Sequence, residues 1–201
     1  MKIENENQLR ELYSLPSGRA RDKVFTTLDK HAINFISKSP FIVLSTCDKN
    51  GKMDASPRGG NFGFVKVLNN KEIIIPDAKG NNRIDSLINI LETGQIGMLF
   101  LIPGIDETLR INGSAFITTE VKYLEMFSSE NLPPKTCMVI NVEEVFLHCA
   151  KALMRSKLWN VDSKIERSEL PTIGEMLKDQ LGSKEPAETQ DDMLKRYQKD
   201  L

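Results

Sequence analysis

Apolar and polar positions change their period several times along the chain. Val24, Phe25, Leu28, Ala32, Phe35 and Ile36 recur at helical spacing, which predicts a helix over residues 20–38 that Pro40 ends. After it, "FIVLSTC" (41–47) has the pattern of a buried strand. "DKNG" (48–51) is a turn signal, and "KMDASPR" (52–58) is the returning strand of a hairpin. "GFVKVL" (63–68) and "EIIIP" (72–76) continue as strands on either side of the turn "NNK". Three consecutive isoleucines imply a strand covered on both faces. Ile84, Leu87, Ile88 and Leu91 stand at i, i+3, i+4 and i+7, a short amphipathic helix closed by Gly94. Strands are predicted over 95–102, 107–118 and 137–149, with helices at 120–129 and 150–159.

The connections are too short for repeated βαβ units, so the chain is expected to be mainly β with peripheral helices. About six strands suit an antiparallel barrel. Beyond residue 160 the segments are charged, mixed in sign and poor in core residues, and helices are expected at 172–180 and 187–199. This divides the chain into a barrel with its N-terminal helix (1–160) and a C-terminal helical, charged extension (161–201).

At 201 residues, with 40% apolar and 27% charged residues, the composition is that of a globular protein able to bury its own core. A net charge of −1 argues against a nucleic-acid binder, which normally carries a basic excess. Any bound anion is therefore expected to be small and locally held. Three scattered cysteines and two distant histidines, His31 and His148, form neither a disulfide framework nor a metal-ligand pattern, so no metal is expected. The N-terminus lacks the pattern of a signal peptide, and the longest apolar run, "IGMLFLI" (96–102), is too short to span a bilayer. A cytoplasmic location is the expectation.

Four segments carry candidate chemistry. "DASPRGGNFGFV" (54–65) breaks a strand with Pro, Arg and two glycines, implying a bulged edge strand or a ligand against the backbone. Within it, Ser56 and Arg58 share a face. "PDAKGNNRIDSL" (76–87) joins a turn to a helix expected to start near Arg83, where free N–H groups attract anions; a capped surface helix is the plainer alternative. Arg110, Asn112 and Ser114 share one face of their strand, turned either to water or to a planar polar ligand. "HCAKALMRSKLW" (148–159) is basic and holds the single tryptophan, Trp159, with Cys149 expected to be a small buried hydrophobe. No Ser-His-Asp or Cys-His constellation is apparent, so the hard step of any catalysis falls to a cofactor.

Together these segments resemble the pyridoxamine 5′-phosphate oxidase-like family of split-barrel flavoproteins, nearest its "probable FMN-dependent" members. The matching stretches are "SPFIVLSTCDKNGKMDASPRGGNFGFVKV", "IIIPDAKGNNRIDSLINIL", "IGMLFLIPGIDETLRINGSA" and "HCAKALMRSKLW", within residues 37–160. The resemblance implies a homodimer of six-stranded antiparallel split β-barrels with FMN between the subunits. It implies that Ser56, Arg58 and Gly59 meet the ribityl-phosphate or flavin edge. By the same resemblance, Pro76 and Asp77 border the isoalloxazine, and Asn82 and Arg83 hold the phosphate. Arg110 and Asn112 then approach the ring, and Lys151, Ser156 and Trp159 reach the site from the partner chain. The sequence departs from the pyridoxamine phosphate oxidases themselves. "SPRGGNFGFVK" replaces their Arg-x-x-x-x-Lys stretch, and their basic C-terminal substrate segment is missing, which speaks against vitamin B6 oxidation. The implied activity is an FMN-dependent oxidoreductase acting on a small molecule. Alternatives are a flavin-binding or redox-sensing protein without turnover, or the same barrel holding haem or F420.

Overall fold

The computed structural model describes residues 2–200. Phe41–Cys47 (β1) buries every second residue, Ile42, Leu44 and Thr46, and pairs in unbroken antiparallel register with Met53–Gly59 (β2), from Phe41 opposite Gly59 to Cys47 opposite Met53. Lys66–Asn69 (β3) and Glu72–Pro76 (β4) form a second hairpin, followed by Gln95–Leu101 (β5), Thr108–Thr118 (β6) and Cys137–His148 (β7). The seven strands form one antiparallel sheet in the order β2-β1-β5-β6-β7-β4-β3.

The strand count among the described residues is seven, not about six, and β2 and β3 each pair with one neighbour only. All seven fall on strand segments predicted one by one along the sequence, and the most shortened is the four-residue β3. The predicted strand over 63–68 starts only at Lys66, because Gly63 has φ of 80° and residues 62–63 form a turn. The edge position of β2 explains Pro57, since a missing N–H costs least where only one side of the strand is paired. The expected bulge is likewise absent from the β1–β2 register. The bulge that does occur in the long strands lies between Asn112 and Gly113 of β6, opposite Glu144 and Val142.

The isoleucine run of β4 is covered on both faces, as its sequence implies. Ile73 and Ile75 belong to the main core with Ile36, Ile42, Leu44, Phe100, Ile111 and Ile140, whereas Ile74 packs with Phe127, Cys137 and Val139. The helix expected over 20–38 is instead divided. Only Arg19–Asp22 and Lys30–Lys38 are helical (α2 and α3, after Glu6–Leu12 as α1). Between them Phe25 exchanges backbone hydrogen bonds with Val145 at 3.0 and 2.8 Å, and Leu28 N–H reaches Asn70 C=O at 2.7 Å. The Asp29 carboxylate then caps α3 by accepting from the N–H groups of His31 and Ala32 at 3.0 and 2.7 Å.

Asp85–Thr93 (α4) lies against β1 and β6 and ends at Gly94, whose φ of 67° is the left-handed cap expected of glycine. Short helices at Val121–Leu124 (α5) and Lys151–Ser156 (α6) flank β7. Ile173–Leu181 (α7) and Gln190–Tyr197 (α8) match the two helices expected in the C-terminal extension. Among the described residues no helix is long and apolar enough to cross a membrane.

Candidate ligand-binding cleft

Three pieces of chain converge on a cleft of about 1050 Å³. The first is β2, whose alternating pattern turns Asp54, Ser56 and Arg58 to one half-buried side. The second is the segment from Pro76 to Ser86, from the end of β4 into α4. The third is the loop 130–135, with Asp200 at the margin.

Arg58 lies at the centre of a polar network. Its Nη1 donates to the Ser56 hydroxyl and, at 3.0 Å, to the Pro57 carbonyl; its Nη2 lies 3.5 Å from Ser86 Oγ. Ser86, buried at the start of α4, donates its own proton to Asp54 Oδ2 at 2.6 Å. Among the described residues the buried Nε–H of Arg58 has no acceptor. An orphaned donor costs about 1–3 kcal/mol and calls for an acceptor.

The second wall is held in an unusual backbone. Asn82 and Ile84 have positive φ, 61° and 50°. Asparagine tolerates this region, but for a β-branched isoleucine it is a strained conformation. Asn81 Oδ1 supports the turn by accepting from the Arg83 N–H at 3.1 Å. Because Ile84 is left-handed, α4 starts at Asp85 and not near Arg83 as the sequence predicts. Arg83 is therefore outside the helix, paired with the Asp85 carboxylate at 2.9 Å and exposed. Lys79 reaches Asp200 at 2.5 Å, joining this wall to the end of the chain.

Asp77 is fixed at the cleft margin by its N–H bond to Thr136 C=O at 3.0 Å. Burial raises its carboxyl above the usual range, and the positive charge of Arg58 opposes the rise. The neighbouring Cys137 thiol is pushed up to about 11, first by burial and then by the Asp77 charge, so it stays protonated and inert at neutral pH.

Ser56, Arg58, Gly59, Pro76, Asp77, Asn82 and Arg83 all line this one cleft. The glycine pair has a local explanation as well: a Cβ on Gly60 would stand 2.7 Å from the Phe64 Cβ, so the chain must be bare where Phe64 folds under it. Arg110, Asn112, Lys151, Ser156 and Trp159 do not line the cleft of their own chain. Arg110 and Asn112 face outward from β6, where Asn112 donates to Glu144 at 2.9 Å and Arg110 lies over the Phe146 ring. Lys151 and Ser156 are exposed on α6, and Trp159 Nε1 donates to Ile105 C=O at 2.9 Å. Cys149 is exposed, not buried as expected, because it follows the last residue of β7 and precedes α6.

The sequence reasoning missed Asp54, Ser86, Lys79 and the 130–135 loop. Asp54 had a signal, since it stands at i, i+2 and i+4 with Ser56 and Arg58; the loop, more than 50 residues from β2 in sequence, had none. Among the described residues no group of three or more His, Cys, Asp or Glu side chains could hold a metal ion.

The fold is thus an antiparallel, mainly β sheet with a polar cleft between an edge strand and a strand-to-helix loop. The sequence profile of the family described as pyridoxamine 5′-phosphate oxidase matches residues 28–149, so the chain belongs to that family. Among solved structures, HupZ of Group A Streptococcus is similar at a TM-score of 0.51 and 20% identity, over 60% of this chain and 93% of that one. A candidate pyridoxamine 5′-phosphate oxidase from Lactobacillus delbrueckii is similar at a TM-score of 0.49 and 18% identity, over 62% of this chain and 98% of that one. These likenesses concern the fold. No curated protein matches the sequence.

Proposed function

We propose that the protein is an FMN-dependent oxidoreductase that acts on a small molecule as a homodimer. The observation that carries this reading is the buried, partnerless Nε–H of Arg58 in a cleft large enough for a flavin nucleotide. Membership of the pyridoxamine 5′-phosphate oxidase family supports it.

The donors present fit a ligand that is planar at one end and anionic at the other. Arg58 and Ser56, with Asn82 and Arg83 across the cleft, are the groups for the phosphate and ribityl chain; Gly59, Pro76 and Asp77 are those for the ring. Arg83 would exchange its exposed pairing with Asp85 for the phosphate, an inexpensive exchange because surface ion pairs contribute little. FMN, when bound, supplies the two-electron redox chemistry that the side chains of this cleft lack. The residues themselves bind and orient, and burial makes the Asp77 carboxyl hold its proton more readily than an ordinary aspartate does. Arg110, Asn112, Lys151, Ser156 and Trp159, which lie off their own chain's cleft, are assigned in this reading to the cleft of a second copy.

The test is the visible absorption spectrum of the purified protein, followed by anaerobic addition of NADH or NADPH. A flavin spectrum that bleaches and recovers with an acceptor supports an oxidoreductase. A flavin spectrum that never bleaches supports a flavin-binding protein without turnover. A colourless protein that gains no thermal stability from FMN overturns the reading, and a haem or deazaflavin spectrum replaces it.

A further inference from the structure

We infer that Asp54 and Ser86 form a relay that positions Arg58 without a carboxylate in direct contact with it, so that the cleft selects ligands bearing an anionic group. The inference deepens the binding role proposed above and rests on it for the ligand, though not for the relay itself.

Ser86 stands second in α4, at a helix start that has no side-chain cap. Serine inside the first turn of a helix is free to bond outside the helix. Here it faces β2, only 2% exposed. A hydroxyl has one proton to donate, and that proton goes to Asp54 at 2.6 Å. Its lone pairs are thereby left for Arg58, whose Nη2 approaches at 3.5 Å, the long limit of a hydrogen bond.

Nη1 is held from the other side by Ser56 and the Pro57 carbonyl. The guanidinium is thus oriented by three neutral oxygens. Asp54 shares its strand face but forms no ion pair with it among the described residues. A carboxylate in direct contact would orient Arg58 equally well and cancel the charge that an incoming anion needs. Interposing Ser86 separates orientation from neutralisation.

The experiment follows the Arg58 Nε–H resonance by NMR in ¹⁵N-labelled protein, assigned by its loss in Arg58→Lys. In the wild type this proton exchanges slowly with water, because it is buried. Loss of one weak supporting hydrogen bond corresponds to about two- to tenfold faster exchange in Ser86→Ala and Asp54→Ala, and Ser86→Thr, which keeps the hydroxyl, restores the slow rate. Exchange in Ser86→Ala equal to wild type overturns the relay; if that variant does not fold, Asp54→Ala and Ser86→Thr carry the same comparison. A parallel FMN titration separates the two claims. Ser86→Ala weakens FMN binding when Arg58 is present and has no effect in an Arg58→Ala background. Faster exchange in a protein that never binds FMN keeps the relay and removes the flavin.

Discussion

Replacing Arg58 by alanine is expected to remove ligand binding while leaving the fold almost untouched, and the structure explains why the two effects separate. In the free protein Arg58 makes hydrogen bonds to Ser56, the Pro57 carbonyl and Ser86, the last at 3.5 Å and weak. Each is worth about 0.5–1.5 kcal/mol at most. Against this stand the orphaned Nε–H, which costs about 1–3 kcal/mol, and the restricted rotamers of a side chain that carries about 2 kcal/mol of entropy. The opposing terms nearly cancel, so the melting temperature should move by less than about 4 °C, the shift that about 1 kcal/mol produces in a domain of this size. With ligand bound, the same guanidinium makes charge-assisted bonds worth about 1.5–3 kcal/mol, which predicts a loss of affinity of roughly 10- to 150-fold. Differential scanning calorimetry and an FMN titration on the same preparation read the two quantities. Unchanged affinity would refute the role of Arg58, and a melting temperature lowered by about 10 °C would make it a structural residue.

Three further outcomes are expected. Gly113→Ala places a Cβ 1.9 Å from the Asn141 carbonyl oxygen at the β6 bulge, and should destabilise by about 3 kcal/mol, measured by urea denaturation. Asp29→Ala removes both capping bonds of α3 and should cost about 1 kcal/mol in the same assay. Asp77 has a folded carboxyl raised by burial, so its contribution to stability is complete in acid and is lost as pH rises through that raised value. Asp77→Asn should therefore be more stable than wild type at neutral pH, with the gain vanishing in acid. A variant equal to wild type at both pH values would show that the carboxyl is not buried in solution.

The elements that the sequence makes legible are those whose order is local. β1, β4 and β5 start at the predicted residues, Phe41, Glu72 and Gln95, and Gly94 ends α4 where a left-handed residue is expected. The isoleucines of β4 report cover on both faces because no polar residue interrupts them. The failures are tertiary. Val24, Phe25 and Leu28 fit a helical period, yet Phe25 and Leu28 give their backbone to Val145 and Asn70, and Asp29 can cap only the helix that follows. Sequence spacing cannot weigh a strand partner 120 residues away. The left-handed Ile84 likewise contradicts local preference, as residues at ligand sites often do, and it displaced Arg83 from the expected helix start. Half of the cleft was visible in "SPRGG" and "GNNR". The rest, Ser86 against Asp54 and the 130–135 loop, arises only when β2, the segment after β4 and the loop before β7 line one cleft.

The central claim is that the Arg58 cleft binds FMN through its phosphate. It is tested most directly by titrating ligand-free protein with FMN and, separately, with riboflavin, following the quenching of flavin fluorescence. The account predicts saturable, stoichiometric binding of FMN and much weaker binding of riboflavin, which lacks the anionic group. Equal affinity for the two flavins, or no quenching by either, would contradict it.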